Sequence, residues 1–164
     1  MAASAEKDAV PTRDIRRGAR CIRCRNPDFR AGIGTDWVAG GWDIEQTTVF
    51  AEKLEERGCD AIHVSSGGLH PAQNIQVEPT YQVPLARVVK SAVRMPVITV
   101  GLISGFEQAE AIVTTSDADL IELARTILYD PHWPRHAAAE LGGHVRAPNQ
   151  YLRCQPAIQR FVRK

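Results

Sequence analysis

No run of apolar residues in this sequence approaches the ~20 needed to span a bilayer, so nothing in it reads as a membrane helix. There is no excess of charge of either sign. Twenty Lys and Arg stand against 19 Asp and Glu, for a net charge of +1, which points neither to nucleic acid nor to a membrane surface. Met1 to Asp8 has no apolar core and is not a secretory signal, so the four cysteines are expected as reduced thiols in a cytoplasm. The cysteines lack metal-site spacing: Cys21 and Cys24 form a lone C-x-x-C, while Cys59 and Cys154 are isolated. Gly-x-Ser-x-Gly is absent, and no base is paired with Ser65 or Ser66, so neither serine is read as a nucleophile.

What the sequence does contain is a soluble globular core, with 44% hydrophobic and 24% charged residues. From Trp42 the pattern is regular. Asp43 and Gln46 form a capping box that opens a helix over 43–57, with Ile44, Thr47, Phe50, Ala51 and Leu54 on its buried face and Gly58 beyond its end. A buried strand follows over 61–64, then a long loop, then a helix over 83–93 with Leu85, Val88, Val89 and Ala92 inward. A strand over 97–100, a helix over 106–113 and a strand over 119–123 come next. A short helix starts at Thr126, is interrupted by Pro131 and Pro134, and resumes over 136–141. Strands alternating with helices at this spacing imply an α/β fold with parallel pairing and right-handed crossovers. The strands are continuous apolar runs, the pattern of strands buried on both faces.

The first 30 residues differ in kind. Arg13 to Arg30 holds seven arginines against Asp14 and Asp28 and has no helical or alternating period, so residues 1–30 are expected to be disordered. Residues 31–142 form the folded domain and 143–164 a tail. At about 30 residues per βα unit, that domain holds about four units, half of a (β/α)8 barrel.

Two of the strands end in small residues. Val97 to Val100 runs into Gly101, and Leu120 to Leu123 runs into Ala124, with Arg125 next. A small residue lets a ligand approach the backbone, and an arginine offers a planar fork of donors. Adjacent parallel strands ending this way form a phosphate cup. Ser66 and Gly67, where another strand ends, either line the mouth of the same site or make an ordinary turn. His132 and His136 have the spacing of a metal pair, but Pro134 lies between them and no third ligand is suggested, so no metal is expected.

Six motifs in order carry a resemblance. They are Thr35-Asp36-Trp37-Val38 with Gly40-Gly41-Trp42-Asp43, Val64 to Gly68, Tyr81-Gln82-Val83-Pro84, Val100-Gly101-Leu102-Ile103, Leu123-Ala124-Arg125 with Asp130 to Pro134, and Gln150-Tyr151-Leu152-Arg153. Together they resemble the C-terminal half of the old yellow enzyme family, in its NADH:flavin oxidoreductase and NADPH dehydrogenase branch, over residues 35–153. The resemblance implies the C-terminal half of a (β/α)8 TIM barrel and FMN as cofactor, its phosphate held by Gly101, Ala124 and Arg125 with Ser66 and Gly67 nearby. It implies NAD(P)H as electron donor and an enone-type small molecule as substrate. Arg153 resembles an arginine that some members extend into a neighbouring active site, which implies a homodimer. The family's His-x-x-His or His-x-x-Asn pair and its proton-donor tyrosine have no counterpart here, and the flavin-contacting arginine is replaced by Ala31, with Arg30 one position off. A shift of one turns a strand residue to the opposite face. No catalytic residue is therefore assigned, and the chain reads as a truncated flavin oxidoreductase. The alternatives are a non-catalytic phosphate-ligand or FMN-binding half barrel and an inactive fragment.

Overall fold

The structure, a computed structural model, describes residues 28–68, 70–143 and 148–150. Four strands form one parallel sheet in the order β1-β2-β3-β4. They are β1 (Phe29–Ile33), β2 (Ala61–Ser65), β3 (Val97–Thr99) and β4 (Leu120–Ile121). Between them lie α1 (Ile44–Glu56), α2 (Val83–Ala92) and α3 (Phe106–Thr114), and α4 (Arg125–Tyr129) and α5 (Trp133–Glu140) follow β4. Each strand pairs with the next in sequence, as four consecutive βα units of a barrel require. β1 begins at Phe29, two residues before the expected domain boundary, and its pairing with Ala61 to Ser65 is what orders it.

α1 starts as its sequence dictates. The Asp43 carboxylate accepts the Gln46 N–H at 3.0 Å, and the Gln46 side chain accepts the Asp43 N–H at 3.1 Å. Thr47, Ala51 and Leu54 are buried, and Ile44 and Phe50 pack partly against the core. Gly58, at φ +80°, turns the chain out of the helix. α2 differs from expectation in its buried stripe. Val83, Ala86 and Val89 are buried, whereas Leu85 is half-buried and Val88 is 43% exposed. The small Ala86 at the centre lets the helix lie close to the sheet, which rotates Val88 outward. α5 also differs: it runs from Trp133 with Pro134 in its first turn, where no N–H is needed, so the proline starts the helix rather than interrupting it. β4 is shorter than the expected 119–123, although Asp119 bonds Val97 through both its backbone N–H, at 2.9 Å to the carbonyl, and its side chain, which accepts the Val97 N–H at 2.8 Å. The Glu122 N–H still reaches Thr99 O at 2.8 Å, extending the β3–β4 contact by one bond.

The sheet is buried on one face. Ile62, Val64, Val97 and Thr99 are fully buried beneath the helices, and each such apolar side chain contributes about 1.5–3 kcal/mol. The register places Phe29, Ala31, Ile33, His63, Ile98 and Leu120 on the other face. There Phe29 is 54%, Ile33 39% and Leu120 49% exposed. Burial on both faces, expected from the apolar runs, is thus not met: the open face is the one that four further units of a closed barrel would cover.

Candidate functional site

The C-terminal ends of β3 and β4 open into a cleft of about 220 Å³. Tyr81, Gln82, Gly101, Glu122, Ala124 and Arg125 are among its walls. Gly101 lies two residues beyond β3 and has φ +115°, a conformation that side chains rarely adopt. Its carbonyl accepts the Thr80 N–H at 3.0 Å, which ties the loop before α2 to the cleft floor. Leu102, next in the chain, is also at positive φ, +52°. A non-glycine residue held there stores strain, and such strain gathers at ligand sites.

The opposite wall follows β4. Ala124 caps α4, and Arg125 opens it. Arg125 is exposed, and among the described residues its guanidinium has no ion pair or hydrogen bond. The strand-end residues Gly101, Ala124 and Arg125 therefore converge on one cleft. Ser66 and Gly67 are not in its lining. Ser66 follows β2, and its hydroxyl is buried without a partner. Gly67, at φ +85°, lies under the loop that follows: an added Cβ would come 2.6 Å from Ile75 Cδ1. The Gly68 N–H is bonded by Gln73 Oε1 at 2.8 Å, so this stretch also holds its own loop in place.

Gln82 was not singled out as a site residue from the sequence. Its Nε2 donates to Tyr81 Oη, while its Oε1 is buried in the cleft wall with no partner. Its only sequence signal is its place beside Tyr81 and Pro84, which reads equally well as the start of a helix. The open face adds a second polar group. His63 Nε2 lies 3.0 Å from Glu122 Oε2, close enough for an ion pair but not aligned as a hydrogen bond.

The remaining candidates have structural partners. Cys59 is buried, its thiol pushed up from the ordinary range by burial, and its Sγ lies 3.3 Å from the Asp28 and Ala61 carbonyls. His136 Nδ1 is 2.7 Å from Asp130 Oδ2. Among the described residues no group of three or more His, Cys, Asp or Glu is arranged to hold a metal ion, and no helix is long and apolar enough to cross a membrane. Arg30 shares the helix-side row with Ile62 and is paired to Asp28 at 2.9 Å, while Ala31 shares the open-face row with His63. Cys21, Cys24, Arg153 and Cys154 lie outside the described residues.

The class of protein is α/β, a parallel sheet of consecutive βα units with a cleft at the C-terminal ends of β3 and β4. The chain belongs to the NADH:flavin oxidoreductase / NADH oxidase family, whose model matches residues 31–143. It is 41% identical over 127 residues to an NADPH dehydrogenase of Halalkalibacterium halodurans, covering 77% of this chain and 37% of that protein. NADPH dehydrogenases of Geobacillus thermodenitrificans and Bacillus licheniformis are 39% and 40% identical over the same shares. The chain thus spans about 37% of the length of these relatives.

Proposed function

We propose that this chain is the phosphate-binding part of an FMN-dependent NAD(P)H oxidoreductase of the ene-reductase type. The observation that carries this reading is the unpaired Arg125 guanidinium facing Gly101 across one cleft, in a chain of a flavin oxidoreductase family. The residues fit a phosphate-bearing cofactor. Gly101 lets Gln82 pack where a side chain would stand, Arg125 offers a planar fork of donors, and Gln82 Oε1 is a buried acceptor without a partner. The buried, unpartnered Ser66 hydroxyl beyond the cleft supports a role for Ser66 and Gly67 alongside. When bound, FMN supplies hydride transfer from NAD(P)H to an activated alkene of the enone type. The protein's own part is to hold the phosphate and set the floor of the site.

Among the described residues nothing polarises a substrate carbonyl or protonates its α-carbon. The isolated chain is therefore expected to bind FMN weakly and to turn over enones slowly. The exposed face carrying Phe29, Ile33 and Leu120 supports pairing with a further four-stranded unit, and a second copy of this chain supplies one as a homodimer. Arg153 acting in trans belongs to the same reading. The alternative, a non-catalytic phosphate-ligand binder, is favoured by the same cleft, since Arg125 lines it without an ion pair among the described residues. The visible absorption spectrum of the purified protein, followed by FMN titration, tests the proposal. Bound flavin supports it, and a colourless protein that ignores added FMN overturns it. NADH oxidation with added FMN separates enzyme from binder.

A further inference from the structure

Arg125 stands three residues after an acid, Glu122, and both line the same cleft. A carboxylate paired with Arg125 would fill the fork that an anion needs. Glu122 and Arg125 do not pair. Glu122 Oε2 lies 3.0 Å from His63 Nε2 instead, and among the described residues Arg125 has no carboxylate partner. The register explains how His63 reaches it. His63 on β2 is level with Ile98 on β3 and Leu120 on β4, so all three share the open face. Glu122, two residues after Leu120, points to that same face, while the chain turns at Leu123 and Ala124 before Arg125. The imidazole is largely shielded, with 20% of its side chain exposed, against 53% for Glu122. His63 is thus the more enclosed partner and Glu122 the more exposed one.

We propose that His63 is a positioning residue that holds the Glu122 carboxylate over the open face of the sheet and so keeps Arg125 unpaired for a ligand phosphate. This rests on the reading of Gly101, Ala124 and Arg125 as an anion cup. The role belongs to neither residue alone. Without His63, Glu122 turns to Arg125 and competes with the ligand. Without Glu122, His63 has nothing to hold and the cup stays open.

The test uses the full chain and four proteins: wild type, His63→Ala, Glu122→Gln and the double variant, each checked for folding by circular dichroism. FMN and inorganic phosphate are the probes. His63→Ala is expected to weaken both by about fivefold, the factor an exposed ion pair commands. Glu122→Gln in the same chain restores wild-type affinity, and Glu122→Gln alone binds at least as well as wild type. His63→Gln, which can still bond Glu122, falls between. A second readout needs no ligand: the Arg125 Nε–H resonance is expected to move in His63→Ala and to return in the double variant. A folded His63→Ala protein with an unmoved Arg125 resonance overturns the proposal, as does a loss of affinity that Glu122→Gln fails to restore. Wild type that binds neither probe overturns the anion cup itself; the resonance then decides the His63 role alone, movement supporting it and no movement refuting it.

Discussion

Gly101 and Gln82 meet so closely that no side chain fits between them: a Cβ built on Gly101 would lie 3.0 Å from Gln82 Cγ and 3.3 Å from its backbone nitrogen. This contact joins the end of β3 to the start of α2 and shapes one wall of the cleft. Gly101→Ala therefore meets two penalties, a collision with Gln82 and a φ of +115° that alanine resists. The variant is expected to lose about 1–3 kcal/mol of stability, measured by urea unfolding, and to bind FMN more weakly than that loss explains. Unchanged stability would show that the loop before α2 yields freely and that the wall is not rigid.

Arg125 offers the opposite profile. It is exposed and has no partner among the described residues, so its removal should cost little in folding. If it holds a phosphate, Arg125→Ala loses a charge-assisted bond of about 1.5–3 kcal/mol, roughly ten- to hundredfold in FMN affinity. Thermal unfolding and FMN titration on the same sample separate the two quantities. Arg125→Lys keeps the charge but not the fork and should recover only part of the affinity.

The residues that were legible in the sequence share a cause. The capping box at Asp43 and Gln46 uses local contacts, which sequence spacing encodes directly. That Gly101, Ala124 and Arg125 line one cleft was legible because small residues end adjacent strands, and parallel pairing brings such ends together. The His63–Glu122 pair was not legible, since it depends on register across three strands, and the orphaned Gln82 acceptor was not, since it depends on the loop before α2 packing against Gly101. On α2, Val89 is buried and Leu85 packs against the core as its pattern implies, whereas Val88 is exposed and the small Ala86 takes a buried place. The start of β1 at Phe29 was hidden by the arginine-rich composition before it, which pairing with β2 overrides.

Thr47 is the polar centre of the β1–α1 junction. Its hydroxyl is fully buried, donates to the Ile33 carbonyl at 2.5 Å and accepts the Trp42 indole N–H at 2.7 Å. Valine has the same shape without the hydroxyl, so Thr47→Val leaves the indole donor and the carbonyl unpaired. The expected cost is about 1–3 kcal/mol, read as a lower urea midpoint at unchanged m-value. A neutral result would mean that Trp42 finds water instead.

Acid should weaken the fold in part through Asp119. Burial opposes ionisation of Asp119, but the Lys90 ammonium at 2.7 Å and the Val97 N–H at 2.8 Å outweigh it and hold the carboxyl below its ordinary value of 3.8. The folded chain therefore binds that proton less readily than the unfolded chain. The stabilisation is fully present above the ordinary carboxyl range and is lost as pH falls through and below it. Asp117, held low by Arg87, and Asp130, held low by His136, act in the same direction, yet both sit at the surface where solvent screens them. Asp119→Asn keeps an acceptor for Val97 and removes the charge. Its melting temperature should be lower than wild type at pH 7, and the difference should shrink as pH falls from 5 towards 3. Because Asp119 ties α2, β3 and β4 together at the end of the sheet opposite the cleft, FMN affinity at pH 7 should stay within about twofold of wild type. A constant difference in melting temperature across that range would assign the effect to packing rather than to the charge.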